Sequence, residues 1–207
     1  MKVNIKKVDF NWLDIKNLCR TTIALKDSQK EPTEKWIRDL LISQHSPIRD
    51  GEVLFEIEDI PYCISTHLAR HHEGCEKFIQ TSRSDRTGVD RSERKQTDPV
   101  NMKMKCNIEA LINISAKRLC LQADKDTIKA WKMVLEAIKE YDKNVYWACV
   151  PQCIRHGGCT EMFGDCKFFE NFAKDLTKEQ LIDLRQRYDA YNEFRERKVI
   201  KKWIGNY

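Results

Sequence analysis

Between Glu52 and Glu58 the chain adopts a two-residue period, and this narrows the available folds more than any other feature. Val53, Phe55 and Ile57 alternate there with Leu54, Glu56 and Glu58, the repeat of a strand with one buried face. Asp59-Ile60-Pro61 is expected to end it. Upstream, Thr33 opens TEKWIRDLLISQ, in which Ile37, Leu40, Leu41 and Gln44 follow helical spacing up to His45-Ser46-Pro47. Downstream, Ile108, Leu111, Ile112, Ser115 and Leu119 define one helix, and Ile128, Trp131, Leu135 and Ile138 define another after Asp124. A strand set among amphipathic helices predicts an α/β architecture in which helices lie against a sheet.

Other stretches are read with the same rules. From Tyr62 to about Arg83, Ile64, Leu68, Cys75, Phe78 and Ser82 fall on one helical stripe. His67, Arg70, Gly74, Lys77 and Thr81 fall on a second. The second stripe carries no acid, which suits either an anion-facing surface or a solvated face. Residues 84–105 combine many charges with little apolar periodicity and predict a long exposed connection. Cys149 to Cys166 is a glycine-containing irregular segment, and Thr177 with Gln180 forms a capping box opening a last helix with Leu181, Leu184, Tyr188 and Tyr191.

At 207 residues, with 41% hydrophobic and 33% charged, the chain suits one domain over 1–207 and excludes an intrinsically disordered chain. Within it, 149–166 is a Cys-rich segment and 176–207 a C-terminal helix with a basic tail. The net charge of +5 is too small to mark a dedicated nucleic-acid binder. Much of it sits in Arg195, Arg197, Lys198, Lys201 and Lys202, read either as a solvated helix end or as a nucleic-acid contact. No apolar run approaches the roughly 18–20 residues of a membrane span. MKVNIKKVDF lacks the apolar segment of a secretion signal, so a cytoplasmic location and nine reduced cysteines are expected.

The block from His45 to Gly74 carries the most chemistry: a His-Ser-Pro loop, a strand, then His67, Arg70, His71 and His72. Guanidinium and imidazole groups supply planar donors suited to phosphate or to a polarisable ring. The order H-S-P, strand, I-P, H-L-A-R-H-H resembles the flavin-dependent thymidylate synthases. Their signature is a His-x-Ser/Thr-Pro loop, a strand, Gln-x-x-Arg-His-Arg and a following Ser-x-Arg. Asn107, Asn113 and Arg118 in CNIEALINISAKRLC match the family's asparagine, asparagine and Leu-Arg, and Cys19-Arg20-Thr21-Thr22 resembles its N-terminal Ala-Arg-x-Ser. The likeness spans about residues 19–140. His67 replaces the family's glutamine, Arg70-His71-His72 its Arg-His-Arg, and Cys75 and Lys77 its serine and asparagine, while Thr81-Ser82-Arg83 matches Ser-x-Arg only with a one-residue insertion.

The resemblance implies an α+β fold with a central, mostly antiparallel sheet flanked by helices, assembled as a homo-oligomer, a tetramer in the family. It implies FAD, methylation of deoxyuridine monophosphate (dUMP) to dTMP with methylenetetrahydrofolate, and NADPH as reductant. The alternatives are hydroxymethylation of dUMP and a non-catalytic nucleotide-binding or nucleic-acid-binding relative. Arg118 is the implied catalytic residue, facing the uracil. Thr22, His45, Ser46, Arg70, His71, His72, Asn107 and Asn113 are the implied flavin contacts. His67, Arg70, Gln80, Thr81, Ser82, Arg83, Arg118 and either Arg94 or Arg91 are the implied nucleotide contacts. Arg83 is read equally well as a helix C-terminal cation, and Cys75 as a packed core thiol. Beyond the resemblance, Cys149, Cys153, Cys159 and Cys166 with His156 suit zinc, an iron–sulfur cluster or plain thiols.

Overall fold

The structure is a computed structural model, and it describes residues 1–197; Lys198, Lys201 and Lys202 of the basic tail lie outside the described residues. The elements run β1 (Lys2–Asp9), α1 (Trp12–Thr21), α2 (Glu34–Ser43), β2 (Glu52–Pro61), α3 (Tyr62–Ala69), β3 (Cys75–Ile79), α4 (Ser84–Thr87), β4 (Pro99–Asn107), α5 (Ile108–Arg118), α6 (Lys125–Lys139), α7 (Lys143–Ala148), α8 (Gln152–His156), α9 (Phe168–Ala173), α10 (Lys178–Ile182) and α11 (Leu184–Glu196). Short 3₁₀ turns occupy Ser46–Arg49 and Arg91–Glu93.

The four strands form one sheet in the order β1-β2-β4-β3, and every pairing is antiparallel. Val53, Phe55 and Ile57 of β2 and Met102, Met104 and Cys106 of β4 are buried on one face. Trp131 of α6 meets Phe55 there edge to face, with ring centroids 6.2 Å apart. The opposite face is laced with charge: Lys6 pairs with Glu56 and Lys105 with Glu52, each at 2.6 Å. One side of the sheet therefore carries the core and the other meets water. Trp131 is fully buried and donates Nε1–H to Ser115 Oγ at 2.9 Å, while Ser115 donates to the Leu111 carbonyl at 2.6 Å. Burying an aromatic this completely contributes about 3 kcal/mol or less, and the hydroxyl meets the indole's need for an acceptor.

Three expectations are corrected. The reading of one helix from Tyr62 to about Arg83 fails because α3 stops at Ala69. Gly74 turns the chain with φ +63°, and a Cβ there would stand 2.5 Å from Asn107 Nδ2, so only glycine admits the close turn into β3. The expected connection over 84–105 contains most of β4, a central strand. Val100, Met102, Met104 and Cys106 point inward, and the charges of Lys103 and Lys105 belong to the solvated face. Strand β2 continues through Asp59-Ile60-Pro61 by way of a register shift between Ile57 and Ile60, with Asp59 at φ +54°. Strand β1 was not read at all.

The capping box at Thr177 and Gln180 is formed, but the last helix breaks at Asp183, which caps α11. Buried Arg187 ties this C-terminal region together by donating to the carbonyls of Ile154 (2.6 Å), Arg155 (3.1 Å) and Leu181. Arg195, expected in a solvated tail, instead lies 3.5 Å over the Tyr146 ring and donates to the Cys149 carbonyl at 2.9 Å. Among the described residues no helix is long and apolar enough to cross a membrane.

Candidate active site

The end of α3 and the end of α5 meet, and their last side chains define the site. Arg118 closes α5, whose first turn is capped by Asn107 Oδ1 accepting from the Ala110 amide at 2.8 Å. Its Nε–H donates to His71 Nε2 at 2.9 Å and its Nη2–H to the His67 carbonyl at 2.6 Å. The guanidinium is thus fixed at two points, and among the described residues its remaining N–H groups have no further partner. Among the described residues it forms no ion pair. Burial, then the charge of Arg70, lowers its pKa. Arg70 itself is exposed at the end of α3.

His71 must present a lone pair to Arg118, so the bond requires neutral imidazole at Nε2. Burial first, then the charges of Arg118, Lys77 and His72, press its pKa down to about 4, which keeps the ring neutral near pH 7. Lys77 Nζ donates to the His71 carbonyl and lies 3.4 Å from His72 Nδ1. His67 Nδ1 meets Thr127 Oγ1 at 2.8 Å, and Thr127 in turn donates to Asp124 Oδ1 at 3.1 Å. Asp124 also caps α6 through the Thr127 amide at 2.9 Å. A helix cap thereby orients a site imidazole, a role of Thr127 and Asp124 that sequence reading missed. The Asp-x-x-Thr start of α6 was the available signal. His67, Arg70, His71, His72 and Arg118 cluster where α3 and α5 end, with Asn107 behind the Gly74 turn.

At the other end of α3, Ser82, Arg91, Arg94 and Lys95 line a cavity of about 210 Å³ with Tyr62, Gln96 and Asp98. Arg94 Nε is buried there without a hydrogen-bond partner among the described residues. An orphaned guanidinium N–H among further cations fits an anionic oxygen. Arg94 and Ser82 are thus brought together, and Arg91 joins rather than replaces Arg94.

The other expected residues are spread more widely. Gln80 extends the β3–β4 ladder, its amide donating to the Asn101 carbonyl at 2.9 Å and its Oε1 accepting from the Asn101 amide at 3.0 Å. Thr81 accepts from the Arg83 amide at 3.2 Å. Arg83 makes a bidentate pair with Asp85 at 3.0 and 2.8 Å, and it stands before the first turn of α4 rather than at a helix C-terminus. His45 and Ser46 are exposed at the turn after α2. Asn113, exposed on α5, accepts from Gln44 Nε2 at 3.1 Å. Thr22 is exposed at the end of α1 and donates to the Cys19 carbonyl at 2.7 Å. Among the described residues no hydrogen bond ties Thr22, His45 or Asn113 to Arg118.

Cys75 is a packed core thiol, its Sγ 2.7 Å from that of Cys106 on the paired strand. The expected metal set needs correction. Cys149 is fully buried in the core beside Ser115, where burial pushes its thiol up to about 11, and it stands apart from the crevice that Cys153, Cys159 and Cys166 line. Among the described residues no group of three or more His, Cys, Asp or Glu side chains is disposed to hold a metal ion.

No protein-family model and no curated protein matches the sequence. Solved structures do match. The flavin-dependent thymidylate synthase ThyX of Helicobacter pylori, complexed with FAD and dUMP, superposes with a TM-score of 0.59 at 13% identity, covering 72% of this chain and 100% of that one. A second structure of that enzyme with FAD and dUMP gives 0.60 at 14% identity, covering 72% and 99%. The UMP/dUMP methylase PolB of Streptomyces cacaoi, bound to 5-Br dUMP, gives 0.59 at 13% identity, covering 71% and 93%. The chain has the ThyX fold. The expected α+β architecture and antiparallel sheet are those of the ThyX fold.

Proposed function

We propose that the chain methylates dUMP to dTMP with methylenetetrahydrofolate and reduced FAD, using no cysteine nucleophile. The observation that carries this reading is Arg118, a guanidinium held by the His67 carbonyl and neutral His71 with donors to spare. A uracil placed against it gains negative charge as its N3 proton leaves. Donors already fixed in a half-buried site stabilise that charge without reorganising, which makes C5 nucleophilic. Arg70 adds positive potential beside it. The neighbours' complexes with dUMP and FAD support the substrate and the cofactor class. FAD, bound and reduced by NADPH, would supply the hydride that converts the transferred methylene to methyl.

The residues present fit such anionic ligands. The orphaned Arg94 Nε, with Arg91 and Lys95, suits phosphate oxygens, and Arg70, His71 and His72 offer donors toward flavin or its phosphates. The two groups stand at opposite ends of the eight-residue α3, about 12 Å at helical rise. A second copy of the chain would supply the missing half, so we assign a homo-oligomer, a tetramer as the resemblance implies. The altered Arg70-His71-His72 triplet favours dUMP hydroxymethylation as the second reading, because that reaction omits the hydride step.

The test combines a spectrum with product analysis. Purified protein should show flavin absorbance near about 450 nm and should convert dUMP with methylenetetrahydrofolate and NADPH to a product bearing a methyl group by mass. A hydroxymethyl product selects the second reading. Arg118→Ala should lower turnover by at least about 10²-fold, and Arg118→Lys should recover little, since an ammonium cannot reproduce the planar fork. Near-normal turnover in Arg118→Ala sinks the proposal.

A further inference from the structure

Cys75 opens β3 and Cys106 stands one residue before the end of β4. They are 31 positions apart in the chain, yet their sulfurs lie 2.7 Å from each other. The strand register accounts for the contact. β3 and β4 run antiparallel with Cys75 directly opposite Cys106. The Asn107 amide donates to the Gly74 carbonyl at 2.8 Å and the Gln80 amide to the Asn101 carbonyl at 2.9 Å. Gly74 with Asn107 and Gln80 with Asn101 are therefore hydrogen-bonded pairs, and since the two kinds of pair alternate, Cys75 with Cys106 is a non-hydrogen-bonded one. Residues paired in that way stand about 4.5 Å apart at Cα, inside the span of about 4.4–6.8 Å that a disulfide bridges. Both thiols are buried on the core face, and they meet as they stand, with no side chain left to turn.

We infer that Cys75 and Cys106 are a two-thiol redox site, reduced at rest and closed to a cross-strand disulfide by a hydroperoxide. Cys75 reacts first. It lies on the edge strand of the sheet, directly after the exposed residues 72–74, where local opening of a strand end admits a small oxidant; Cys106 is fully buried behind it. The hydrogen bond from Cys106 lowers the Cys75 pKa against the opposing effect of burial, and the charge of Lys77 lowers it further, which favours the nucleophilic thiolate. That thiolate attacks one oxygen of hydrogen peroxide, the O–O bond breaks, the departing hydroxide takes the proton Cys75 gave up, and Cys75 is left as a sulfenic acid. The Cys106 sulfur then attacks the Cys75 sulfur, the S–O bond breaks, and hydroxide leaves with the Cys106 proton as a second water. Two thiols have lost two electrons and the peroxide has gained them. The bond closes a covalent ring over residues 75–106, which carry α4, Arg91 and Arg94, and fixes it one residue from Asn107, the cap of α5.

Hydrogen peroxide added to the reduced full-length chain tests this without reference to turnover, so its outcome is separate from that of the proposed methylation. Remaining thiols are alkylated in denaturant and the peptides weighed. The expected product is a Cys75 peptide joined to a Cys106 peptide, lighter than the two thiol peptides by two hydrogens and returned to them by dithiothreitol. In Cys106→Ala the resolving thiol is gone, and Cys75 should be caught by dimedone as its sulfenic acid. The linked wild type should melt about 5 °C or more above the reduced form, a difference absent in Cys106→Ala. Peroxide that links Cys120, Cys153, Cys159 or Cys166 while Cys75 and Cys106 stay alkylatable overturns the inference. So does a Cys75 that passes to the sulfinic acid in wild type without joining Cys106, or a linked protein that melts below the reduced one.

Discussion

His71 accepts the Arg118 Nε–H only while its ring is neutral, and its pKa of about 4 lies below the ordinary 6.5. Between those two values the unfolded chain binds a proton that the folded chain refuses, so this residue makes stability fall as pH drops from 6.5 toward 4. His71→Gln places an amide oxygen where Nε2 accepts and removes the titration. Melting temperatures across that window should therefore fall less steeply in His71→Gln than in wild type. Parallel curves would show that the imidazole is not held neutral by this contact. At this scale the sequence was legible where spacing is local: His67 and His71 stand in one motif block and Arg118 in another. It was silent where the partner is remote in the chain, as with Thr127 behind His67 and Cys106 opposite Cys75.

Helices α5 and α6 share a polar stitch within an apolar core, Trp131 to Ser115 to the Leu111 carbonyl. Ser115→Ala removes the acceptor and leaves a buried indole N–H unpaired, at a cost of about 1–3 kcal/mol, readable as a lower urea midpoint with an unchanged slope. The turn from α3 into β3 is equally specific. Gly74→Ala combines a left-handed backbone with a clash against Asn107, so it should destabilise by about 1–2 kcal/mol from the backbone alone. It should also disturb the cap of the helix that presents Arg118, which predicts reduced turnover together with a lower melting temperature. Helices α2, α5 and α6 were legible because each buries a stripe at regular spacing. Strand β4 was not, because Lys103 and Lys105 dominate its composition while Val100, Met102 and Met104 carry its packing. The segment after Ala69 misled for the opposite reason: Cys75 and Phe78 fit a helical stripe, yet Phe78 is 58% exposed on an edge strand.

Across the whole molecule, the ThyX fold accounts for 72% of the chain, and one hydrophobic cluster runs from Ile15 through the sheet to Tyr191. The region from α8 to α11 was only partly legible, since its capping box is a local signal whereas its attachment depends on Arg187 finding distant carbonyls. Arg187→Met keeps the apolar stem but leaves the Ile154, Arg155 and Leu181 carbonyls unpaired. A loss of about 3 kcal/mol or more is expected, with protease cleavage appearing first between α8 and α11 while the sheet remains protected from hydrogen exchange. Cleavage spread evenly over the chain would show that this arginine does not anchor the region separately.

Surface ion pairs such as Lys105 with Glu52 vanish when the carboxylate is protonated and fade as salt rises. A guanidinium gripped by amide oxygens has no counter-charge to lose. The grip of Arg187 on its three carbonyls should thus outlast the ladder of opposite charges across the open side of the sheet in mild acid or brine.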